Sequence, residues 1–129
     1  MRIGFIGLGA MGAPMAARLV AAGHAVHGFD VRPAAVEALV AQGGHAAASA
    51  REAATSVDLL WLMVVNGEQA ETVLFGDGVA AAALPAGALV VAACTQAPAQ
   101  AQALAARVAA SGQVMLDAPV SGGVGGAKA

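Results

Sequence analysis

Three glycines near the amino terminus stand at positions that could hold a phosphate. They belong to the run Gly7-Leu8-Gly9-Ala10-Met11-Gly12. In such a run the first glycine permits a tight turn out of a strand. The second lets backbone approach a pyrophosphate with no Cβ in the way, and the third allows a helix to pack closely on the strand. The helix that follows offers free N–H groups and a partial positive charge to the phosphates. The pattern alone is weak. Here it follows an apolar run and opens a helical one, which is the context a dinucleotide-binding unit requires. A glycine-rich turn without a ligand is the plain alternative. Asp30 lies 18 residues beyond Gly12. A carboxylate there can accept both hydroxyls of an adenosine ribose and would repel a 2′-phosphate, which favours NAD over NADP. It also suits an acid placed ahead of a helix N-terminus. Arg32 keeps NADP open, because an arginine two residues on can hold a 2′-phosphate or stack on adenine.

Two later segments can carry chemistry. In Cys94-Thr95-Gln96-Ala97-Pro98, Thr95 follows a buried strand. Ligands of open α/β sheets lie beyond the carboxyl ends of the strands, so Thr95 either meets the nicotinamide end or caps the next helix. Cys94 reads as a small buried hydrophobe, with no basic partner near it in sequence. In Asp117-Ala118-Pro119-Val120-Ser121-Gly122-Gly123, backbone N–H groups and a serine hydroxyl can hold a small carboxylate. A plain interdomain loop is the other reading. His24, His27, His45 and Trp61 fall on or beside core strands and read as structural. One cysteine and three scattered histidines leave no metal site.

These residues need a scaffold, and the spacing supplies one. Strands are predicted over residues 2–7, 24–29, 45–48, 58–65, 88–93 and 113–116, and helices over 10–22, 34–42, 49–56, 68–75 and 98–111. Met11, Met15, Leu19 and Ala22 recur at helical spacing, and Gly23 stops that helix. Pro33 suits a first helical position. Ser49 with Glu52 forms a capping box, and Asn66 can cap the helix after the fourth strand. Gly76-Asp77-Gly78 reads as a turn. The fourth strand is apolar on both faces, as in the middle of a parallel sheet. Regular alternation of strand and helix predicts an α/β, doubly wound parallel sheet of about six strands.

Composition limits the rest. The chain has 129 residues and a net charge of −2, so it carries no electrostatic footprint for nucleic acid. From Gly78 to Ala106 no residue is charged, long enough to span a bilayer. Pro85, Gly87, Thr95, Gln96, Pro98, Gln100 and Gln102 interrupt it. It is read as two buried elements and a polar loop, so no membrane is expected, and the protein is expected in the cytoplasm. Only 11% of residues are charged, against about 25% in typical domains. An alanine-rich composition and a partly covered surface both account for that. The expected division is a dinucleotide-binding domain over residues 1–117 and a substrate-binding loop over 118–129, leading to a further domain outside the chain.

Taken together, the motifs resemble the β-hydroxyacid dehydrogenase family, which includes 3-hydroxyisobutyrate dehydrogenase and tartronate semialdehyde reductase. Gly4-Phe5-Ile6-Gly7-Leu8-Gly9-Ala10-Met11-Gly12 looks like its cofactor signature, and residues 117–127 look like its substrate signature. Val64-Val65-Asn66-Gly67-Glu68-Gln69 with Val73-Leu74-Phe75-Gly76 is similar to the L-threonate dehydrogenase branch. The resemblance implies a Rossmann-type domain and transfer of a hydride between a nicotinamide cofactor and a small 3-hydroxy acid. It implies cofactor contacts from residues 7–12, Asp30, Val64, Val65 and Thr95, and substrate contacts from Ser121, Gly122 and Gly123. It implies a homo-oligomer for the full-length protein. The family's catalytic lysine and helical domain lie beyond this region. Lys128 does not match that lysine, so no catalytic residue is assigned and the 129 residues alone are expected to be inactive. A non-enzymatic dinucleotide-binding module and an imine reductase relative are the alternatives.

Overall fold

The chain, seen here in a computed structural model, is described over residues 1–76, 80–94 and 96–118. Its strands are β1 (Arg2–Ile6), β2 (Ala25–Phe29), β3 (His45–Ala46), β4 (Leu59–Leu62), β5 (Leu89–Ala92) and β6 (Val114–Asp117). Between them run α1 (Gly12–Ala21), α2 (Pro33–Ala41), α3 (Ala50–Ala54), α4 (Gly67–Phe75), α5 (Ala80–Ala83) and α6 (Pro98–Ala110). All pairings are parallel, in the order β3-β2-β1-β4-β5-β6. This is the doubly wound sheet that the sequence predicts.

Side chains alternate across the sheet, and each face buries a different core. Leu60, Leu62, Val90 and Ala92 point to one face, where α3, α4, α5 and α6 close over them with Ala53, Ala70, Leu74, Ala81, Leu104 and Val108. Phe5 and Val26 point to the other, under α1 and α2, with Ala16 and Leu39. Helices α1 and α2 join β1, β2 and β3, so they cover that half of the second face. Over β4, β5 and β6 that face holds Leu59, Trp61, Leu89, Val91, Val114 and Leu116 in two register rows. No helix of the described residues lies over the outer part, and Val114 and Leu116 are 61% and 52% exposed.

Several local expectations hold and some need correction. Pro33 opens α2 at its first turn, and the Ser49 hydroxyl accepts from the Glu52 N–H at 3.0 Å. Asn66 caps α4 by accepting from the Gln69 N–H at 3.0 Å. Helix α1 starts at Gly12 and not at Ala10, because residues 7–11 are spent on the turn. β4 ends at Leu62, three residues short of Val65, where its neighbour β1 has already ended at Ile6. β3 is only two residues long. The uncharged stretch holds three elements where two were expected, since α5 precedes β5. The turn predicted at Gly76-Asp77-Gly78 falls partly outside the described residues.

Candidate cofactor site

The strand order reverses between β1 and β4, and in such sheets a crevice opens at that point beyond the carboxyl ends. The glycine run lies there. Gly7 leaves β1 with φ +100°, a left-handed conformation that favours glycine, and a Cβ on it would collide with the Met63 carbonyl. A Cβ on Gly12 would collide with the Gly7 carbonyl, so α1 rests directly on the turn that precedes it. Gly9 differs: the nearest atom to its missing side chain is Arg32 Nη2, at 3.5 Å. That space lies open to a ligand. The N–H groups of Gly9, Ala10, Met11 and Gly12 have no backbone acceptor among the described residues, whereas Ala13 already donates to Gly9 at 3.0 Å. Together they form the cradle of N–H donors that a pyrophosphate needs.

Asp30 follows β2 and ties the second loop to the first. Its Oδ2 accepts from the Leu8 N–H at 2.8 Å, and its Oδ1 from the Arg32 N–H at 2.9 Å and Nε at 3.2 Å. Burial pushes the carboxyl's pKa up. The Arg32 side chain, the two backbone N–H donors and the arginine charge outweigh it and hold the group below its usual value. Arg32 Nη2 also reaches the Leu8 carbonyl at 3.4 Å. The guanidinium thus lies across the glycine turn, 62% exposed over a carboxylate that is 9% exposed.

A cleft of about 640 Å³ runs from this corner to the start of α4. Gly7, Gly9, Asp30 and Arg32 line one wall, and Met63, Val64, Val65, Gln69 and Thr72 the other. Val64 and Val65 thus lie on the wall opposite the glycine turn. Val31 and Val65, 86% and 74% exposed, rim the cleft from opposite sides. Neither Val31, Met63, Gln69 nor Thr72 was expected at the site. An apolar residue directly after Asp30 was the one available signal. Gln69 accepts from the Val65 N–H at 3.0 Å and so fixes the loop that carries it.

The remaining candidates separate from the cleft. Cys94 is buried, and burial together with the Asp117 charge pushes its thiol's pKa up, as for an inert core thiol. Trp61 stacks on Phe5, with ring centroids 6.0 Å apart. His27 stacks on His45 at 4.9 Å, on the far edge of the sheet. Thr95, Ser121, Gly122, Gly123 and Lys128 lie outside the described residues.

Comparison with known proteins agrees with this geometry. Residues 2–129 match the family described as the NAD binding domain of 6-phosphogluconate dehydrogenase. An L-threonate dehydrogenase of Cupriavidus necator is 48% identical over 121 residues, which are 94% of this chain and 41% of that protein. A 3-hydroxyisobutyrate dehydrogenase of Pseudomonas aeruginosa is 44% identical, over 98% of this chain and 43% of the relative. Among solved structures, a Mycobacterium tuberculosis 3-hydroxyisobutyrate dehydrogenase with L-serine superposes with a TM-score of 0.92 at 39% identity, covering 98% of this chain and 43% of its own. The chain spans about two fifths of the length of these relatives. A glycine turn with open donors, a carboxylate at the end of β2, and a family match over nearly every residue agree: the chain belongs to the NAD-binding domains of the β-hydroxyacid dehydrogenases.

Proposed function

We propose that this chain is the cofactor-binding part of an oxidoreductase that transfers a hydride between a nicotinamide cofactor and a small 3-hydroxy acid, of the 3-hydroxyisobutyrate, tartronate semialdehyde/glycerate or L-threonate type. The observation that carries the reading is the open space above Gly9, faced by free N–H donors and bounded by Asp30. Gly9, Ala10, Met11 and Gly12 hold the pyrophosphate. Asp30 accepts from the adenosine ribose. It has four lone-pair sites, of which three are used internally, so Arg32 swings outward to admit the sugar. Val31 flanks the adenine, and Val65 lines the nicotinamide-ribose region. Val64 and Thr95 lie toward the nicotinamide, which when bound supplies the electron acceptor for the alcohol. Ser121, Gly122 and Gly123 hold the substrate carboxylate. NAD is preferred to NADP, because a 2′-phosphate would face the Asp30 charge.

In this reading the general base comes from outside the 129 residues, from a domain that follows residues 118–129. We assign the protein to the cytoplasm, one place where such an enzyme meets the dinucleotide pool. Among the described residues, no helix is long and apolar enough to cross a membrane. The test is a fluorescence titration of the chain with NADH and NADPH. The reading expects saturable NADH binding and weaker NADPH binding. Equal or tighter NADPH binding would overturn the cofactor preference, and binding of neither would overturn the site.

A further inference from the structure

Next to the cofactor cleft lies a second cavity, of about 710 Å³, between α2 and the end of β3. Leu39 anchors α2 to the core. Along the adjoining side of the helix, Pro33, Val36, Glu37 and Val40 recur at helical spacing and line the cavity. Val40 stands 46% exposed on that stripe. Ala46, Ala47 and Ala48 complete the wall. Three successive alanines end one carbon from the backbone, and that leaves the room. Asp30 and Glu37 are the two charged residues of the lining, and both are acids.

A cavity of this size, mainly apolar with a few polar groups, is the usual form of a small-molecule site. The two acids define what fits: an apolar body that carries a positive charge. A neutral hydrocarbon would leave Asp30 and Glu37 unused, and an anion would be repelled. Phe29, Asp30 and Val31 line this cavity and the cofactor cleft as well. Three of the four lone-pair sites of Asp30 accept bonds from Leu8 and Arg32. One remains, and a cation in the cavity and a ribose in the cleft both draw on it. We propose that the cavity is a second ligand site, for an amine with an apolar body, and that its occupant and the dinucleotide oppose each other through Asp30 and Val31. The site rests on the cavity alone, and the opposition rests on the cofactor reading.

The probes are 4-phenylbutylamine and 4-phenylbutyrate, one apolar body with opposite charges. Methyl NMR of the 129-residue chain follows Val36, Val40 and Ala48, and fluorescence follows NADH. The amine is expected to shift those methyls saturably and to bind about fivefold tighter than the acid, the scale of one exposed charge contact. Glu37→Gln should bring the two within about twofold. Ala48→Phe, at an exposed position, fills the room and should abolish amine binding, while NADH affinity stays within about twofold. Saturating amine should weaken NADH about fivefold, and saturating NADH should weaken the amine by the same factor, as linkage requires. Equal binding of amine and acid, or unchanged amine binding in Ala48→Phe, would overturn the site. NADH affinity indifferent to the amine would overturn the opposition. Val36 and Val40 methyls that shift with protein concentration but not with amine would give the cavity to a second copy of the chain and end the proposal. A chain that binds the amine but no NADH sinks the cofactor reading and the opposition with it. One that binds NADH but no amine sinks this proposal alone.

Discussion

At the scale of the residue, the proposed cofactor preference turns on Asp30 and Arg32. The carboxylate sits below its usual pKa, so any stability it contributes is present above the unfolded value of about 3.9. That contribution is lost only as pH falls through the lower folded value. NADH affinity is therefore expected to be flat from about pH 5 to 8 as far as Asp30 is concerned. A titration midpoint near neutrality would assign the binding to another group. Asp30→Ala should weaken NADH by about 1–3 kcal/mol, the scale of charge-assisted bonds lost. Because Leu8 and Arg32 also lose their acceptor, a thermal melt of the variant must accompany the titration. Arg32→Ala acts in the opposite sense. It uncovers the carboxylate and removes the cation that, in the proposed site, would meet a 2′-phosphate. The ratio of NADPH to NADH dissociation constants should rise, by about tenfold if one ionic contact is lost. A ratio that falls or stays level would show that Arg32 does not serve NADP. Asp30 was legible in the sequence because its spacing from Gly12 is a chain-length property. That its carboxylate is spent on Leu8 and Arg32 was not legible, since those bonds depend on how the β1 and β2 loops meet.

At the scale of the element, glycine positions show what packing forbids. A Cβ on Gly12 would strike the Gly7 carbonyl and lie 3.2 Å from Phe5 Cε1, so α1 would have to lift off β1. Gly12→Ala should cost about 1–3 kcal/mol, the range for overpacking. Urea unfolding measures this, and a stability within about 0.5 kcal/mol of wild type would refute such tight seating. The β3 edge gives a second test. His27 stacks on His45, and its pKa is lowered first by burial, then by the Arg2 and His45 charges, with Glu52 opposing them. The folded protein binds that proton less well than the unfolded chain. The stability tied to it is therefore present above the unfolded histidine value of about 6.5 and is lost as pH falls below it. Thermal melts at pH 7 and 5 should show a drop that His27→Gln reduces. An identical drop in the variant would clear His27 of any part in it. Most elements were visible in advance because periodicity and caps mark them, as Ser49 and Asn66 do. Helix α5 was not, since four consecutive alanines have no period to read. The end of β4 was missed because an apolar run does not show where its partner strand stops.

At the scale of the whole molecule, the two halves of the sheet are unequally clothed. Four helices cover one face, but on the other the core under α1 and α2 extends no further than Trp61 of β4. Val114 and Leu116 stand exposed on the remainder. Contiguous apolar surface of this kind commonly marks an interface. The low charge content was the trace of it in the sequence, although composition could not say which face. The isolated chain should bind a hydrophobic dye and associate as its concentration rises, and Leu116→Lys should reduce both. Sedimentation showing a monomer at all concentrations, with no dye bound, would contradict this. The same chain should also produce no NADH from L-threonate, 3-hydroxyisobutyrate or D-glycerate, because no described histidine or lysine reaches the cleft. Turnover near that of an intact relative would require a base among these residues. The strand order has a consequence for synthesis as well. β1, made before the two strands that flank it, lies between β2 and β4, and Ile3 pairs with Leu59. At roughly 5–20 residues per second, this apolar strand waits several seconds on the ribosome with one flank unpaired. Arg2 is its only charged residue. During that wait β1 is a segment a chaperone would shield, and the glycine turn that follows it lacks its Met63 neighbour until β4 is made.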